Sequence, residues 1–218
     1  MSPVKRSYDA SGRQAKALAS RDRVVEVARE LFLRDGYAAT TVAQIATDAG
    51  VAAKTVAAQF GNKPGLMKAV FDAALVGDGR GGGLEQRDNI AAIHSEPSPE
   101  RKLERYAEAL TAMLPRTAPV QLLLRQAGTD SELAAVWDAV KAGRLAGMRN
   151  VAHNLAAGGH LKGGVSVDDA RDILWAYSSP ELFDLLVGER GWDVARYAVF
   201  LADTLKAALL APRRNQRR

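Results

Sequence analysis

Residues 42–61 read VAQIATDAGVAAKTVAAQFG, and this stretch decides the fold that we expect for the chain. The apolar residues of its first half follow the i, i+3, i+4, i+7 spacing of a buried helical face: Val42, Ile45, Ala46 and Ala49. Gly50 then supplies the residue type that most often takes the left-handed conformation at a helix end. A second short helix, from near Ala52 to Gln59, buries Val56. Two short helices joined by a glycine-containing turn are typical of a helix-turn-helix.

The exposed face of the second helix and the caps around the pair carry polar side chains suited to DNA. Such groups contact phosphate oxygens and base edges in the major groove. Lys63, in the first turn of a fourth helix capped by Asn62, lies where backbone amides attract a phosphate. The predicted DNA-contacting residues are Thr40, Thr41, Lys54, Thr55, Ala58, Gln59 and Lys63. A surface helical hairpin that binds nothing is the alternative.

From Val24 to Ala74 the chain resembles the N-terminal domain of TetR-family transcriptional regulators. The residues that carry the resemblance are Ala28, Leu31, Phe32, Gly36, Tyr37, Thr40, Thr41, Val42, Ile45, Ala46, Ala49, Gly50, Val51, Thr55, Phe60, Lys63 and Leu66. One position departs from the family pattern, since Ala57 stands where the family usually has a tyrosine that contacts phosphate. The C-terminal stretch from Leu174 to Leu210 resembles the end of many actinobacterial regulators of this type.

The periodic segments predict an all-α protein, because alternating runs typical of strands are absent and Ala and Leu dominate. Helix starts are marked at Ser98 before Pro99 and at Ser166 with Asp169, and residues 178–181, SSPE, predict a break. We expect residues 1–61 to form the helix-turn-helix DNA-binding domain with a flexible basic N-terminal arm. Residues 62–218 are expected to form a helical regulatory and dimerisation domain with a basic tail.

Positive charge is concentrated at the two ends of the chain. Residues 1–75 hold 11 Lys or Arg against 7 Asp or Glu, residues 211–218 add four Arg, and residues 76–210 hold 15 against 18. This distribution favours contact with nucleic acid at the N-terminal domain. No signal peptide or membrane-spanning run is visible, so we expect a cytoplasmic protein that has no membrane partner.

The last two helices are apolar on more than one face, which predicts burial against a second copy of the chain, with a single thick monomer core as the alternative. The resemblance implies a homodimer through these helices. It also implies a repressor that is released by a small ligand from a palindromic operator, a duplex DNA site read in successive major grooves. A constitutive or architectural DNA-binding protein without an effector is the alternative.

A small, largely apolar ligand requires a mostly apolar site with a few polar groups. The candidates are Tyr106, Met113, Trp137, Arg144, Trp175 and Phe183. Each aromatic residue can instead be a packing residue, and Arg144, which interrupts the apolar stripe of its helix, can instead extend its guanidinium to solvent.

Enzymatic activity is the remote alternative. The chain has no cysteine, and its three histidines, His94, His153 and His160, are isolated from one another. No metal-binding spacing or nucleophile motif is present. We therefore expect a protein that is not an enzyme, with no catalytic residues, metal or cofactor.

Overall fold

The computed structural model describes residues 10–77, 91–126 and 131–211. Within these ranges the chain is helical and forms no β-strand, and one isolated β-bridge pairs Leu161 with Leu210. The helices are α1 (Ala10–Asp35), α2 (Val42–Ala49), α3 (Ala53–Phe60), α4 (Lys63–Val76), α5 (Pro99–Gln126), α6 (Ser131–Ala157), α7 (Val167–Tyr177), α8 (Pro180–Phe183) and α9 (Val194–Leu209), with a π-helical segment at Asp184–Glu189. Residues 91–95 are also helical. The predicted all-α fold is confirmed.

The chain divides into two compact units, Met1–Val70 and Phe71–Arg218. The division falls inside α4, whereas the sequence placed a domain boundary before that helix, at residue 61. The predicted flexible arm covers residues 1 to about 13, of which residues 1–9 lie outside the described ranges. Residues 10–13 form the start of α1 instead. The predicted basic tail beyond Ala211 also lies outside them. Among the helices described, none is both long and apolar enough to cross a membrane.

The first unit is built around α1. Its inward residues are fully or almost fully buried, and the Phe32 ring lies 5.4 Å from that of Tyr37. The short helices contribute the other side of the same core: Ile45, Ala46, Ala49, Val56, Leu66 and Met67. Because α2 and α3 have only eight residues each, they depend on this burial rather than on their own helix propensity.

The turn between α2 and α3 has the predicted geometry. Gly50 ends α2 with φ 70° and ψ 33°, in the left-handed region, and its N–H donates to the carbonyls of Ala46 and Thr47. The N–H of Val51 donates to the same Ala46 carbonyl at 2.9 Å. These bonds satisfy carbonyls that a helix end leaves without intrahelical donors.

The second unit has one continuous core, shared by the long helices α5, α6, α7 and α9. Its large side chains with at most 1% exposure include Leu103, Leu114, Leu155, Leu174, Tyr197, Leu201 and Leu205. Helix α5 runs for 28 residues although it contains Pro115 and Pro119, each of which removes a backbone donor. Leu114 and Ala118, beside the prolines, are each 1% exposed, so their burial helps to keep the helix continuous.

The predicted break after α7 is confirmed. Helix α7 starts with a capping box between Ser166 and Asp169 and ends at Tyr177. The next helix starts at Pro180, and the Ser179 hydroxyl oxygen accepts the Leu182 N–H. The chain is therefore interrupted at residues 178–179, between two helical segments of the second unit.

Candidate functional site

Helix α3 presents a polar and small-residue face to solvent. Lys54, Ala57 and Ala58 are exposed and Thr55 is half-buried, while Val56 on the opposite side is 1% exposed. Val56 therefore anchors α3 to the core, and the predicted DNA-contacting residues on the other side of the helix stay accessible. Ala57 adds no hydroxyl to this surface.

Adjacent threonines at the start of α2 have different environments. Thr41 is exposed, and its hydroxyl oxygen accepts the Gln44 N–H at 3.1 Å as the N-cap of α2. Thr40 is fully buried, and its hydroxyl lies within donating distance of two carbonyl oxygens, Leu31 at 3.2 Å and Gly36 at 2.9 Å. Thr40 ties α2 to the end of α1, and we correct its assignment as a DNA contact.

Lys63 is the first residue of α4. Its ammonium nitrogen lies 4.2 Å from the Tyr37 ring centroid and 3.4 Å from the Ala38 carbonyl oxygen, to which it donates. The helix behind it is capped by Asn62, whose Oδ1 accepts the Gly65 N–H at 2.8 Å. The positive charge therefore lies beside residues 37–39, on the loop that leads into α2.

Two arginines of α1 hold the ends of the helix-turn-helix and were missed at the level of sequence. Arg21 Nη1 donates to the Gln59 carbonyl oxygen at 3.2 Å, and its guanidinium lies 4.4 Å from the Phe60 ring centroid. Arg23 Nε donates to the Ala49 carbonyl oxygen at 3.1 Å. Both carbonyls belong to the last turns of their helices, where acceptors lack intrahelical donors and the dipole is negative. Arg21 therefore fixes the last turn of α3.

The side chain of Gln59 is less accessible than its predicted role requires. The residue is half-buried, and its Oε1 atom is buried without a hydrogen-bond partner among the described residues. A base contact by Gln59 would therefore use the amide nitrogen.

In the second unit, three of the six predicted ligand-site residues come together around Ser178. The Tyr106 hydroxyl and the Ser178 hydroxyl lie 3.0 Å apart and share a hydrogen bond. Arg144 Nη2 donates to the Ser178 carbonyl oxygen at 3.1 Å, and the guanidinium lies 4.4 Å from the Trp175 ring centroid. The alternative in which Arg144 extends to solvent is therefore wrong, because its side chain is half-buried and bonded.

Burial changes the acid–base behaviour of this cluster, which we call the Arg144 cluster (Tyr106, Arg144, Trp175 and Ser178). Burial raises the pKa of the Tyr106 phenol, against opposing effects of the Ser178 hydrogen bond and the Arg144 charge. Burial also lowers the pKa of Arg144 from its very high usual value. At neutral pH the cluster therefore holds a neutral phenol and a guanidinium cation in a poorly hydrated place.

The other three candidates make different contacts. Phe183 is buried and packs edge-on against Tyr197, with ring centroids 5.2 Å apart. Met113 packs against the same core. Trp137 is half-buried on α6, with the Lys141 ammonium 5.8 Å from its ring centroid. His153, one of the three isolated histidines, is exposed on the same helix.

Comparison with known proteins agrees with this division of the chain. Residues 24–70 match the bacterial regulatory proteins of the tetR family. Over 52 residues the chain is 42% identical to the HTH-type transcriptional repressor ComR of Escherichia coli (strain K12), an alignment that covers 24% of this chain and 25% of that protein. The chain thus matches about a quarter of the length of this curated relative.

Solved structures resemble a much larger part of the chain. NalD, the secondary repressor of the MexAB-OprM multidrug efflux pump in Pseudomonas aeruginosa, is similar with a TM-score of 0.72 at 21% identity, over 90% of this chain and 98% of that one. FadR from Bacillus subtilis, solved with stearoyl-CoA, gives 0.69 at 21% identity over 86% and 98%. A putative regulator from Saccharomonospora viridis, solved with choline, gives 0.68 at 18% identity over 89% and 100%.

The class of protein follows from these findings. The chain has the fold of tetR-type transcriptional regulators, with an N-terminal helix-turn-helix domain and a larger helical domain. Its residues 24–70 carry the sequence pattern of that family's N-terminal domain.

Proposed function

We propose that this protein is a sequence-specific DNA-binding transcriptional regulator, a repressor that reads duplex DNA with α3. The observation that carries the proposal is the exposed face of α3 on a helix-turn-helix whose residues 24–70 match the tetR family. Lys54 and Gln59 are assigned to base edges, and Thr41, Thr55, Ala58 and Lys63 to the DNA backbone and groove wall. Phosphate contacts of this kind set position, and base contacts set specificity.

The functional unit in this proposal is a homodimer that binds a palindromic operator. Val199 on α9 is 62% exposed and Leu185 in the π-helical segment is 47% exposed, so the last part of the chain offers apolar surface for a second copy. Two readers related by a two-fold axis would enter major grooves about 34–36 Å apart.

A small, largely apolar molecule is proposed as the effector that releases the operator. Similar folds have been solved with stearoyl-CoA in one case and with choline in another, two chemically different ligands. Fold similarity therefore supports a ligand-binding second domain without choosing the ligand. An effector acts by binding more tightly to the arrangement that does not fit DNA.

Binding-site selection from random duplex DNA tests the proposal. A specific regulator is expected to recover one palindrome and to prefer it over random DNA by at least about 10³-fold. An architectural protein would recover no such site, and that result would overturn the proposal.

Three variants test the assignment of residues. Lys54→Ala and Gln59→Ala are expected to change base preference, whereas Lys63→Ala should weaken all sequences equally and reduce the salt dependence of binding. Equal losses on every sequence for all three variants would contradict these roles.

A further inference from the structure

We propose that the second unit binds a small molecule through an anionic group, a carboxylate, which pairs with Arg144 while the hydroxyls of Tyr106 and Ser178 complete the site. This inference deepens the proposed function, because it names the chemical class of the effector. It starts from the state of Arg144, a half-buried cation whose bonding partners are uncharged.

Arg144 has a carbonyl oxygen and an indole face as neighbours, and no carboxylate of the described residues forms an ion pair with it. Among the described residues, the carboxylate whose charge acts on Arg144 is that of Glu181, and this carboxylate forms its own ion pair with Arg125. Two guanidinium charges are thus set against one carboxylate, which leaves one positive charge uncompensated. Burying a charge without a counter-ion is costly, so a ligand that brings one is favoured there.

The geometry of Arg144 suits a planar anion. A guanidinium carries five N–H donors, and among the described residues only one hydrogen bond, from Nη2 to the Ser178 carbonyl, uses them. Stacking on Trp175 fixes the plane of the group, with 4.4 Å between its central carbon and the ring centroid. A guanidinium held in one plane can bind both oxygens of a carboxylate, which an ammonium does less well.

The break after α7 explains why the Ser178 carbonyl is available to Arg144. In an uninterrupted helix this carbonyl would accept the N–H of Leu182. That N–H instead donates to the Ser179 hydroxyl at 3.2 Å, because Ser179 caps α8. The interruption therefore fixes Arg144 through a backbone acceptor and leaves its charge unneutralised.

The hydroxyl pair supplies a further donor. Tyr106 and Ser178 share one hydrogen bond, in which either oxygen can be the donor, so the second proton of the pair is not used within it. Burial raises the pKa of Tyr106, so this phenol keeps its proton at neutral pH. A neutral hydroxyl beside a cation can donate to a carboxylate oxygen.

A cationic ligand is disfavoured by the same arrangement. Quaternary ammonium groups bind to the faces of aromatic rings. The Arg144 guanidinium already covers one face of Trp175, and its charge would repel a second cation at this ring. The site thus discriminates by charge.

The test uses the full-length protein and isothermal titration with two sets of matched probes. One set is octanoate, octanamide and octyltrimethylammonium, and the other is phenylacetate, phenylacetamide and benzyltrimethylammonium. In at least one set the carboxylate is expected to bind about 10- to 100-fold more tightly than the amide, since hydrogen bonds to charged groups are the stronger ones. The ammonium compounds are expected to bind more weakly than the amides.

Substitutions test whether Arg144 itself, rather than positive charge in general, causes the preference for carboxylate. R144Q should remove the preference for carboxylate. R196Q should keep it, since Arg196 also stacks on a tryptophan, 3.8 Å from the Trp192 ring centroid, but on an exposed part of α9. Tyr106→Phe should reduce carboxylate affinity several-fold, and circular dichroism verifies that each variant is folded. Tyr106→Phe also serves as the second test if R144Q does not fold.

The proposal is overturned if neither carboxylate binds at up to about 10 mM, if in both sets the amide or the ammonium compound binds as well as the carboxylate, or if folded R144Q retains the preference. It is equally overturned if R144Q does not fold and Tyr106→Phe binds carboxylate as tightly as the unchanged protein. These titrations need no DNA. A protein that selects no DNA sequence but prefers carboxylates would refute the proposed function alone, and the converse result would refute only this inference.

Discussion

In the first unit, the residues proposed to read DNA lie on one eight-residue helix, α3, and on the caps that flank the pair α2 and α3. In the second unit, the Arg144 cluster is assembled from distant parts of the chain: Ser178 lies 34 positions from Arg144 and 72 from Tyr106. A site on one short helix needs only that the helix form and that one face be buried. A site drawn from several helices needs the packing of the whole unit, so the two regions should respond differently to substitution.

The largest expected effect in this comparison comes from removing a large buried side chain from the core of the first unit. Phe32→Ala is expected to destabilise the first unit by about 3–5 kcal/mol, because the ring is fully buried and its loss leaves a cavity. Chemical denaturation and amide hydrogen exchange would show protection lost in residues 10–70 before residues 99–209.

The neighbouring Leu33→Ala is the matched control for this change. Leu33 is 37% exposed, so its replacement should alter the free energy of unfolding by no more than about 0.5 kcal/mol. If the two variants behaved alike, the core described for α1 would be wrong.

In the second unit, buried Tyr197 predicts a sensitivity to high pH. Burial raises the pKa of Tyr197 to about 12, against an ordinary value of 10.0. Between these two values the unfolded chain loses the phenol proton while the folded chain keeps it, so stability falls as pH rises. This difference in pKa corresponds to a contribution of about 2–3 kcal/mol to the free energy of unfolding. The contribution is fully present below pH 10 and is lost as the pH rises to about 12.

The measurement compares the unchanged protein with Tyr197→Phe across that pH range. The variant loses the hydrogen bond from the hydroxyl to the Tyr177 carbonyl at 3.3 Å, so it should be about 1 kcal/mol less stable at neutral pH. Its further loss between pH 10 and 12 should be smaller than that of the unchanged protein. An identical pH dependence in both would exclude Tyr197 as the source.

A smaller effect is expected where α4 approaches α3. A methyl group at Gly65 would lie 2.1 Å from the Phe60 carbonyl oxygen, a backbone atom that must move to admit it. Gly65→Ala should therefore destabilise by about 1–3 kcal/mol and weaken DNA binding, as measured by thermal denaturation and by fluorescence anisotropy with a selected operator.

The same substitution at Gly143 is expected to have the opposite effect on stability. Among the described residues, no atom outside its own stretch of α6 lies within 4 Å of its added methyl group, so Gly143→Ala should stabilise by about 0.5–1 kcal/mol through helix propensity. Stabilisation by both substitutions would show that α3 and α4 do not meet as closely as described.

The smallest expected loss of stability among the test variants concerns the arginine that holds the last turn of α3. Arg21→Met keeps the apolar stem and removes the donor to the Gln59 carbonyl, which should cost about 1 kcal/mol and reduce operator affinity. Arg29→Met is the control, because the ion pair that Arg29 forms within the described residues is a long one, 4.0 Å from Glu26 on the surface of the same helix. Equal operator affinity for the two variants would show that Arg21 does not position α3 for DNA binding.

Much of the first unit could be predicted because its signals are local. Gly50 took the left-handed conformation, Thr41 capped α2, and Asn62 capped α4, each through bonds within a few residues. The same holds for the capping box at Ser166 and the break at Pro180 in the second unit. Thr40 shows the limit, since sequence alone gave two adjacent hydroxyls and no reason to bury one of them.

The candidate site of the second unit was only partly predictable. Tyr106, Arg144 and Trp175 were chosen as aromatic or interrupting residues, but Ser178 was seen only as part of a helix break. The role of Ser178 depends on which side chains are brought next to residues 178–179 when the helices pack. The π-helical segment that follows likewise has no signal that we could identify in the sequence.

The amino-acid sequence by itself determined the helices, their caps, the turn at Gly50 and the exposed face of α3, because these depend on bonds and periodicity within a few residues. Tertiary structure alone decided that Thr40 is buried, that Arg21 and Arg23 hold the helix ends, and that Arg144 meets Ser178 and Trp175. Such contacts join segments far apart in the chain. Their geometry is set by how whole helices pack, and no short stretch of sequence contains that information.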